Sequence, residues 1–535
     1  MARSSMEAKN SSDAKAGVGH VHTIMAAPAS AALDAITETH KPSLWSHGMM
    51  KLWPVCICCY MIASINGFDG SLMGAINAMT EYQKSFGLDG AGSSTGLIFI
   101  IYNLGQIASL PFCSLIADRW GRRWGIFIGC CVVLIGTAVQ TASQNRAMFM
   151  IGRFVLGAGA AISQACGPVY IVEIVHPSYR GVQGGLYNTF WHVGNILAGW
   201  TTYGTNLHLD SSWAWRLPTL MQCVLPSIVG SLVFLFPESP RFLIAQDRYE
   251  EATAIIAKYH GDGDASHPIV DFQVDEIREQ LELNRDPNPW WDLRELFNTR
   301  QARYRTAMVI LVAFFGQWSG NNVVSYFMPM MLSQAGITNP DTQLLLNALS
   351  GVFNFIAAVI GATLADRLGR RKMFLYGLTG ALISYILMTA FTARSYDNPD
   401  LSYGVIVFIY LFGISFNGGW TSLMMLYPVE CLENRTRAKG AAMKYIFLNI
   451  ATMVNTYGVA VGIKEIGWKL YLVFIIWIAI EIVVIFFFFV ETAGKTLEEL
   501  SVVFEAKNPV KKSLEKIELI VDDRGNAWEK GGELD

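Results

Sequence analysis

The sequence predicts an all-α membrane protein of twelve transmembrane helices, arranged as two six-helix bundles of common design. Three observations carry this prediction. Of 535 residues, 52% are hydrophobic and only 16% are charged, against roughly 25% charged in soluble domains. The apolar residues gather into stretches of about 18–25 residues, the length that crosses about 30 Å of hydrocarbon. The second half of the chain also repeats features of the first.

Residues 1–50, rich in Ala, Ser, Lys and Asp, have no apolar core with a small-residue cleavage site. They read as a disordered cytoplasmic tail, which leaves the first span to act as its own insertion signal. Residues 51–236 hold six apolar runs at 51–73, 95–116, 124–142, 147–171, 184–204 and 216–236. In 237–305, Tyr249, Ala252, Ile255, Ile256 and Tyr259 fall at helical spacing among charged neighbours. This segment is expected to form amphipathic linker helices on one membrane surface. Residues 306–490 hold the second six runs, at 306–332, 343–365, 372–393, 403–428, 440–462 and 469–490. Residues 491–535 form a second cytoplasmic tail, expected to be disordered from about Ala506 onward.

Orientation follows from the basic residues. Arg119, Arg122 and Arg123 lie between the second and third spans, Arg367, Arg370, Arg371 and Lys372 between the eighth and ninth, and Arg435, Arg437 and Lys439 between the tenth and eleventh. The opposite links are poorer, with Lys84, Arg146 and Arg394. Both termini and the linker helices are therefore expected to be cytoplasmic. The repeat is explicit in Leu115-Ile-Ala-Asp-Arg-Trp-Gly-Arg-Arg123 and Thr363-Leu-Ala-Asp-Arg-Leu-Gly-Arg-Arg371. Each follows the second span of its half. Glu173 with Arg180 and Glu430 with Arg437 form a second matched pair after the fourth spans. Two matches at corresponding positions imply two six-helix halves of common design with a ligand site between them near the midplane.

A net charge of -3 gives no basic excess of the kind that marks a nucleic-acid partner. The nine cysteines border or enter apolar runs, apart from Cys431 in a polar link, and read as buried thiols rather than a disulfide scaffold or zinc site. The aqueous segments carry no metal-ligand cluster, nucleophile with a base, or phosphate-binding glycine loop. No enzyme, cofactor or metal is expected.

Asp69 lies inside the first span, where an ionised carboxylate costs about 2.5–3.5 kcal/mol on insertion scales. Arg153, in the fourth span beside Gly157 and Gly159, is the natural partner to offset that cost: Asp69 is the candidate to exchange a proton and Arg153 to lower or release its proton affinity, the competing reading being that each lies near a membrane surface and is solvated there. The glycines would let a neighbouring helix approach closely. Asp118, Arg119, Arg122 and Arg123, with Asp366, Arg367, Arg370 and Arg371, are expected to meet Glu173, Arg180, Glu430 and Arg437. Such a network would latch the cytoplasmic helix ends. The competing reading makes these charges topology signals alone.

Polar side chains in apolar helices mark the ligand. Asn188, His192 and Asn195 share one face of the fifth span, and Gln317, Asn321, Asn322 and Tyr326 lie in the seventh. Asn354 lies in the eighth, with Asn417 and Trp420 in the tenth. Amides donate and accept together, and an aromatic face suits the C–H side of a sugar ring. The set implies an uncharged polyhydroxylated ligand. His192 reads equally as a structural donor, and Glu481 as an interfacial or packing acid. The sequons at Asn10 and Asn434 would be cytoplasmic and unglycosylated.

From Lys51 to Leu500 the chain resembles the sugar porter family of the major facilitator superfamily. The resemblance rests on Gly67-Phe-Asp-Gly70, Asp118–Arg123, Gly152-Arg153, Tyr170–Gly181, Pro237-Glu-Ser-Pro-Arg241, Asp366–Arg371 and Glu491–Leu500. Asn66–Asn77 and Gln317-Trp-Ser-Gly320 further resemble the fungal branch of lactose, cellodextrin and hexose permeases. The resemblance implies the twelve-helix fold. It places Asp69 and Arg153 where proton-coupled members keep their coupling pair, and Asn188, Asn195, Gln317, Asn322, Asn354 and Trp420 at sugar-contacting or cavity-lining positions. Departures are Gly316 where a second Gln is frequent, Met425 where many members carry Trp, and Val490 and Ala493 in the end motif. The expected function is import of a mono- or disaccharide through the plasma membrane by proton symport with alternating access. The rival readings are transport or export of a polyol, quinate or secondary metabolite, and a non-transporting nutrient sensor. The last is disfavoured by the short stretch of about 45 residues after the final span.

Overall fold

The computed structural model describes residues 43, 45–88, 90–283, 292–395, 398–433, 436–495, 497–515, 519–521 and 527–529. In the first half, spans one to four are His47–Ile76, Ser93–Arg119, Arg122–Thr141 and Arg146–Ile174. The fifth is broken into Arg180–Thr189 and Trp191–His208, and the sixth into Trp213–Met221 and Val224–Leu232. The seventh is likewise broken, into Arg300–Trp318 and Asn321–Gln334. The eighth and ninth are Pro340–Leu368 and Arg370–Ser395. In the tenth, a π turn over Asn417–Thr421 joins Ser402–Phe416 to Leu423–Cys431. Arg437–Ile466 and Leu470–Phe488 complete the set.

Ten helical stretches among the described residues are long and apolar enough to cross a membrane, one of which, 439–488, contains both of the last two spans. The fifth span falls outside those ten because Asn188, His192, Asn195 and its threonines make it too polar. Adding it gives twelve spans, the number the sequence predicts.

Lipid supplies no hydrophobic drive between helices, so association rests on close packing at small residues. Gly157 and Gly159 serve this purpose: a Cβ on Gly157 would lie 2.2 Å from the Tyr102 carbonyl, and one on Gly159 2.6 Å from the Val133 nitrogen. The fourth span thereby seats both the second and the third.

Between the bundles, Pro240–Ala245, Tyr249–His260 and Pro268–Leu283 form linker helices with their own small core, including Phe242, Ile256 and Ile269. They dock on the first bundle. The Gly48 amide donates to Asp262 Oδ1 at 2.6 Å, and His260 Nε2 bonds the Ile174 carbonyl at 3.0 Å while its Nδ1 meets Gln273 at 2.7 Å. The halves touch most firmly at the ends remote from these helices. There the Gly92 amide donates to the Ala460 carbonyl at 2.9 Å, Asn206 donates to Asp341 at 2.7 Å, and Phe99 packs on Phe327.

Two boundaries differ from expectation. Helix continues through Leu497–Glu505 and Pro509–Leu514, with a strand pair Leu519–Val521 and Ala527–Glu529 beyond. Buried Val503 and Phe504 hold the first of these helices down, and the Glu491 amide donates to Ser513 at 3.1 Å. Cys431 ends the tenth span as a buried residue rather than lying in an open link. Asn10, Asn434, Arg435 and most of the 1–50 segment lie outside the described residues.

Candidate functional site

The broken helices and the π turn converge on a cavity of about 240 Å³ between the halves. At Gly320 the seventh span takes a left-handed turn, φ 84°, which glycine adopts without steric cost. Tyr385 fixes it by donating its hydroxyl to the Gly320 carbonyl at 2.8 Å. The break turns Gln317 before it, and Asn321, Asn322 and Tyr326 after it, onto the cavity wall. Asn188, His192 and Asn195 arrive from the fifth span, Asn354 from the eighth and Trp420 from the tenth. These nine residues therefore share one chamber.

Several of them are already held. Gln317 accepts from Thr452 at 3.0 Å, and its backbone carbonyl accepts from Asn455 at 2.5 Å. Asn188 donates across the interface to the Thr421 carbonyl at 2.8 Å. Others keep free valences: Asn322 Nδ2, Trp420 Nε1 and both ring nitrogens of His192 are buried without a partner among the described residues. Unmet donors facing a cavity are what a hydroxylated ligand would satisfy. Gly316 is explained by the same geometry, since a Cβ there would sit 2.7 Å from Trp420 Nε1. The glycine gives the indole its place.

Sequence reasoning missed part of the wall. Asn66, Asn103 and Gln106 from the first two spans, Gln164 from the fourth and Asn449 from the eleventh also line it. The signal was present as amides in apolar runs, with Asn103 and Gln106 one helical turn apart.

Asp69 lies behind this chamber, 1% exposed, between the lining residues Asn66 and Gly70. Its partner differs from the expected one. Gln222, at the break in the sixth span, donates to Asp69 Oδ1 at 2.8 Å, while Oδ2 has no partner. Arg153, 2% exposed, reaches only the Asp69 backbone carbonyl, at 3.4 Å, and lays its guanidinium 4.8 Å from the centroid of the Tyr102 ring. No ion pair joins the two side chains. Glu481 is fully buried rather than interfacial, and accepts from Ser319 at 2.7 Å.

The charged ends form two like clusters. In the first half Arg122 binds Glu173 through two contacts of 2.9 and 3.0 Å. Ser239 donates to Glu173 at 2.6 Å, and Glu238 accepts the Arg122 amide at 3.2 Å. In the second, Arg370 binds Glu430 at 2.7 Å, Thr492 donates to Glu430 at 2.5 Å, and Glu491 accepts the Arg370 amide at 2.8 Å. Arg123 lies 3.7 Å from Glu238, and the Arg371 amide donates to Glu491 at 3.2 Å.

Four expected members do not join. Arg180 turns instead to the Val175 carbonyl at 3.4 Å, and Arg437 leaves its buried Nε unpaired, because Arg122 and Arg370 already fill the two acids. Arg119 and Arg367 are exposed. Asp118 is exposed as well and makes only a 3.6 Å contact with Arg122. The Asp366 side chain lies outside the described residues.

Residues 55–504 match the family described as sugar (and other) transporters. The high-affinity glucose transporter of Kluyveromyces lactis is 28% identical over 79% of this chain and 79% of its own length. High-affinity glucose transporter 1 of Candida albicans is 28% identical over 88% of this chain and 90% of its own. The MFS-type transporter oryC of Aspergillus oryzae is 26% identical over 88% of each. Among solved structures, the inward-open xylose transporter XylE of E. coli superposes with a TM-score of 0.70 at 20% identity, covering 85% of this chain and all of its own. XylE described as a proton:xylose symporter, bound to 6-bromo-6-deoxy-D-glucose, superposes at 0.69 with 19% identity, covering 86% and 100%.

Proposed function

We propose that this chain, which belongs to the family of sugar (and other) transporters of the major facilitator superfamily, imports a sugar across the plasma membrane by proton symport. The carrying observation is the amide-lined chamber between the halves, backed by a buried carboxylate. Glucose transporters among the relatives and a proton:xylose symporter among the structural neighbours support the same reading.

The physical logic runs through Asp69. A carboxylate sealed from water is costly when ionised and cheap when neutral. Protonation of Asp69 from outside removes that cost and frees the first span to move against the sixth. Arg153, stacked on Tyr102 of the chamber wall, approaches Asp69 when the proton leaves and stabilises its charge. Sugar and proton thus bias the same two-state equilibrium.

The contacts at Gly92–Ala460 and Asn206–Asp341 close the end remote from the linker helices. With both termini and the linker helices cytoplasmic, this is the inward-facing member of the cycle. Outward opening breaks those contacts and brings the Arg122 and Arg370 clusters toward each other.

The test is uptake of labelled sugars and polyols by transport-deficient cells expressing the chain, with external pH recorded. Accumulation against the gradient with alkalinisation is expected. Equilibration without a pH change overturns symport, and export of a preloaded solute overturns import.

A further inference from the structure

Lys444, in the eleventh span, is 3% exposed. Its ammonium donates to the Met424 carbonyl at 2.5 Å, lies 3.2 Å from Met425 Sδ, and stands 5.6 Å from the Tyr445 ring centroid. No carboxylate lies within ion-pair distance of it among the described residues. Part of its role is structural. Pro428 has no N–H, so the Met424 carbonyl lacks its helical donor, and Lys444 supplies one. That accounts for one of three N–H groups. A neutral donor would do the same without burying a charge, and a buried cation left with a carbonyl and a thioether is costly until an anion meets it.

The position of the charge matters. Met424, Met425 and Tyr445, its three neighbours, all line the chamber described above. The ammonium therefore stands one side-chain layer behind a wall whose other polar groups are amides, hydroxyls, the Trp420 indole and the His192 imidazole. Methionine side chains are flexible and can part, and the lysine stem can extend between them.

We propose that the transported solute bears a carboxylate: a polyhydroxylated monoacid of the uronate or aldonate class, with its hydroxyls on the amides and its carboxylate on Lys444. This rests on the transport reading and departs from the uncharged ligand that the amides alone suggest. One lysine offers a single positive charge, which matches a monoanion and leaves a phosphate dianion half neutralised.

The experiment uses the purified full chain in proteoliposomes with an inward proton gradient. Uptake is compared within matched pairs at equal low concentration: glucose with glucuronate, galactose with galacturonate, sorbitol with gluconate, and glucose 6-phosphate as a further arm. Wild type is expected to favour the acid of at least one pair by tenfold or more, and to reject the phosphate. Lys444→Gln, which keeps an N–H for the Met424 carbonyl, and Lys444→Met are each expected to lower the acid-to-neutral uptake ratio at least tenfold. The acid-to-neutral ratio is read on one preparation, so a loss of folded protein cancels. Transport of neutral sugars with no preference for acids overturns this proposal and leaves sugar transport standing. An unchanged ratio in both variants overturns it too. Transport of no member of any pair sinks both.

Discussion

The two halves of the molecule build their charged ends alike and their buried acids differently. Arg122, Glu173, Glu238 and Ser239 in one half reappear as Arg370, Glu430, Glu491 and Thr492 in the other, atom for atom in who donates to whom. Inside the membrane the likeness stops. The first half carries its carboxylate on its first span, as Asp69 held by Gln222 of the sixth. The second carries Ser319 at the matching place in the seventh span and its carboxylate on the twelfth, as Glu481. A latch that must hold in both halves is duplicated. A proton site, which the proposed symport needs only once per cycle, need not be.

The largest expected effect separates the two acids. Asp69→Asn should abolish uphill accumulation while leaving exchange of labelled sugar. Glu481→Gln, which can keep the Ser319 bond through its amide oxygen, should leave coupling intact and cost about 1 kcal/mol of stability. Proton-driven accumulation that survives Asp69→Asn, or dies with Glu481→Gln, would reverse the assignment.

Next come the latches. Arg122→Ala and Arg370→Ala each strand a largely buried glutamate and should destabilise the detergent-purified protein by about 3–5 kcal/mol, read as a fall in unfolding temperature. Similar falls are expected. A loss confined to one variant would show that the duplicated geometry is not duplicated energetically.

The ligand wall is a smaller and one-sided effect. Gln317→Ala and Asn322→Ala should each weaken sugar binding by about 1–3 kcal/mol, measured as KM or by calorimetry. Wild-type affinity in both would remove the seventh span from the site.

The smallest effect near neutral pH is set where the linker helices dock on the first half. His176 and His260 pack edge to face, 5.2 Å between ring centroids. Burial, with His260 and Arg180 nearby, pushes His176 from 6.5 down to about 3. Burial also lowers His260, against its bonds to Gln273 and the Ile174 carbonyl. Both are neutral when docked, so the undocked state binds the protons. Docking is complete above pH 6.5 and weakens as pH falls toward 3, by up to about 1.4 kcal/mol per unit for His176. Limited proteolysis of the linker should therefore accelerate on acidification, and His176→Phe should flatten that profile.

Most of this architecture was legible because lipid imposes it. Long apolar runs gave the spans, and amides too polar to face acyl chains gave the chamber. Gln222 was not legible as the Asp69 partner, because a single Gln in the sixth span carries no periodicity and opposite charge pointed to Arg153. That arginines of the basic links would meet Glu173 and Glu430 was legible from opposite charge at neighbouring helix ends. That Arg119 and Arg367 would stay exposed was not, because the string does not tell which side chain of a link faces the acid. Lys444 was not legible either, since nothing in the string tells that it is sealed from water.

The π turn over Asn417–Thr421 holds one residue more than an α-helix would use for the same rise. Deleting Gly418 would remove that surplus and let the tenth span close into a regular α-helix with its two flanks near their present faces. Adding a further residue would instead rotate one flank against the other by about 100° and turn Trp420 off the cavity wall. Insertions here should therefore be far less tolerated than the deletion.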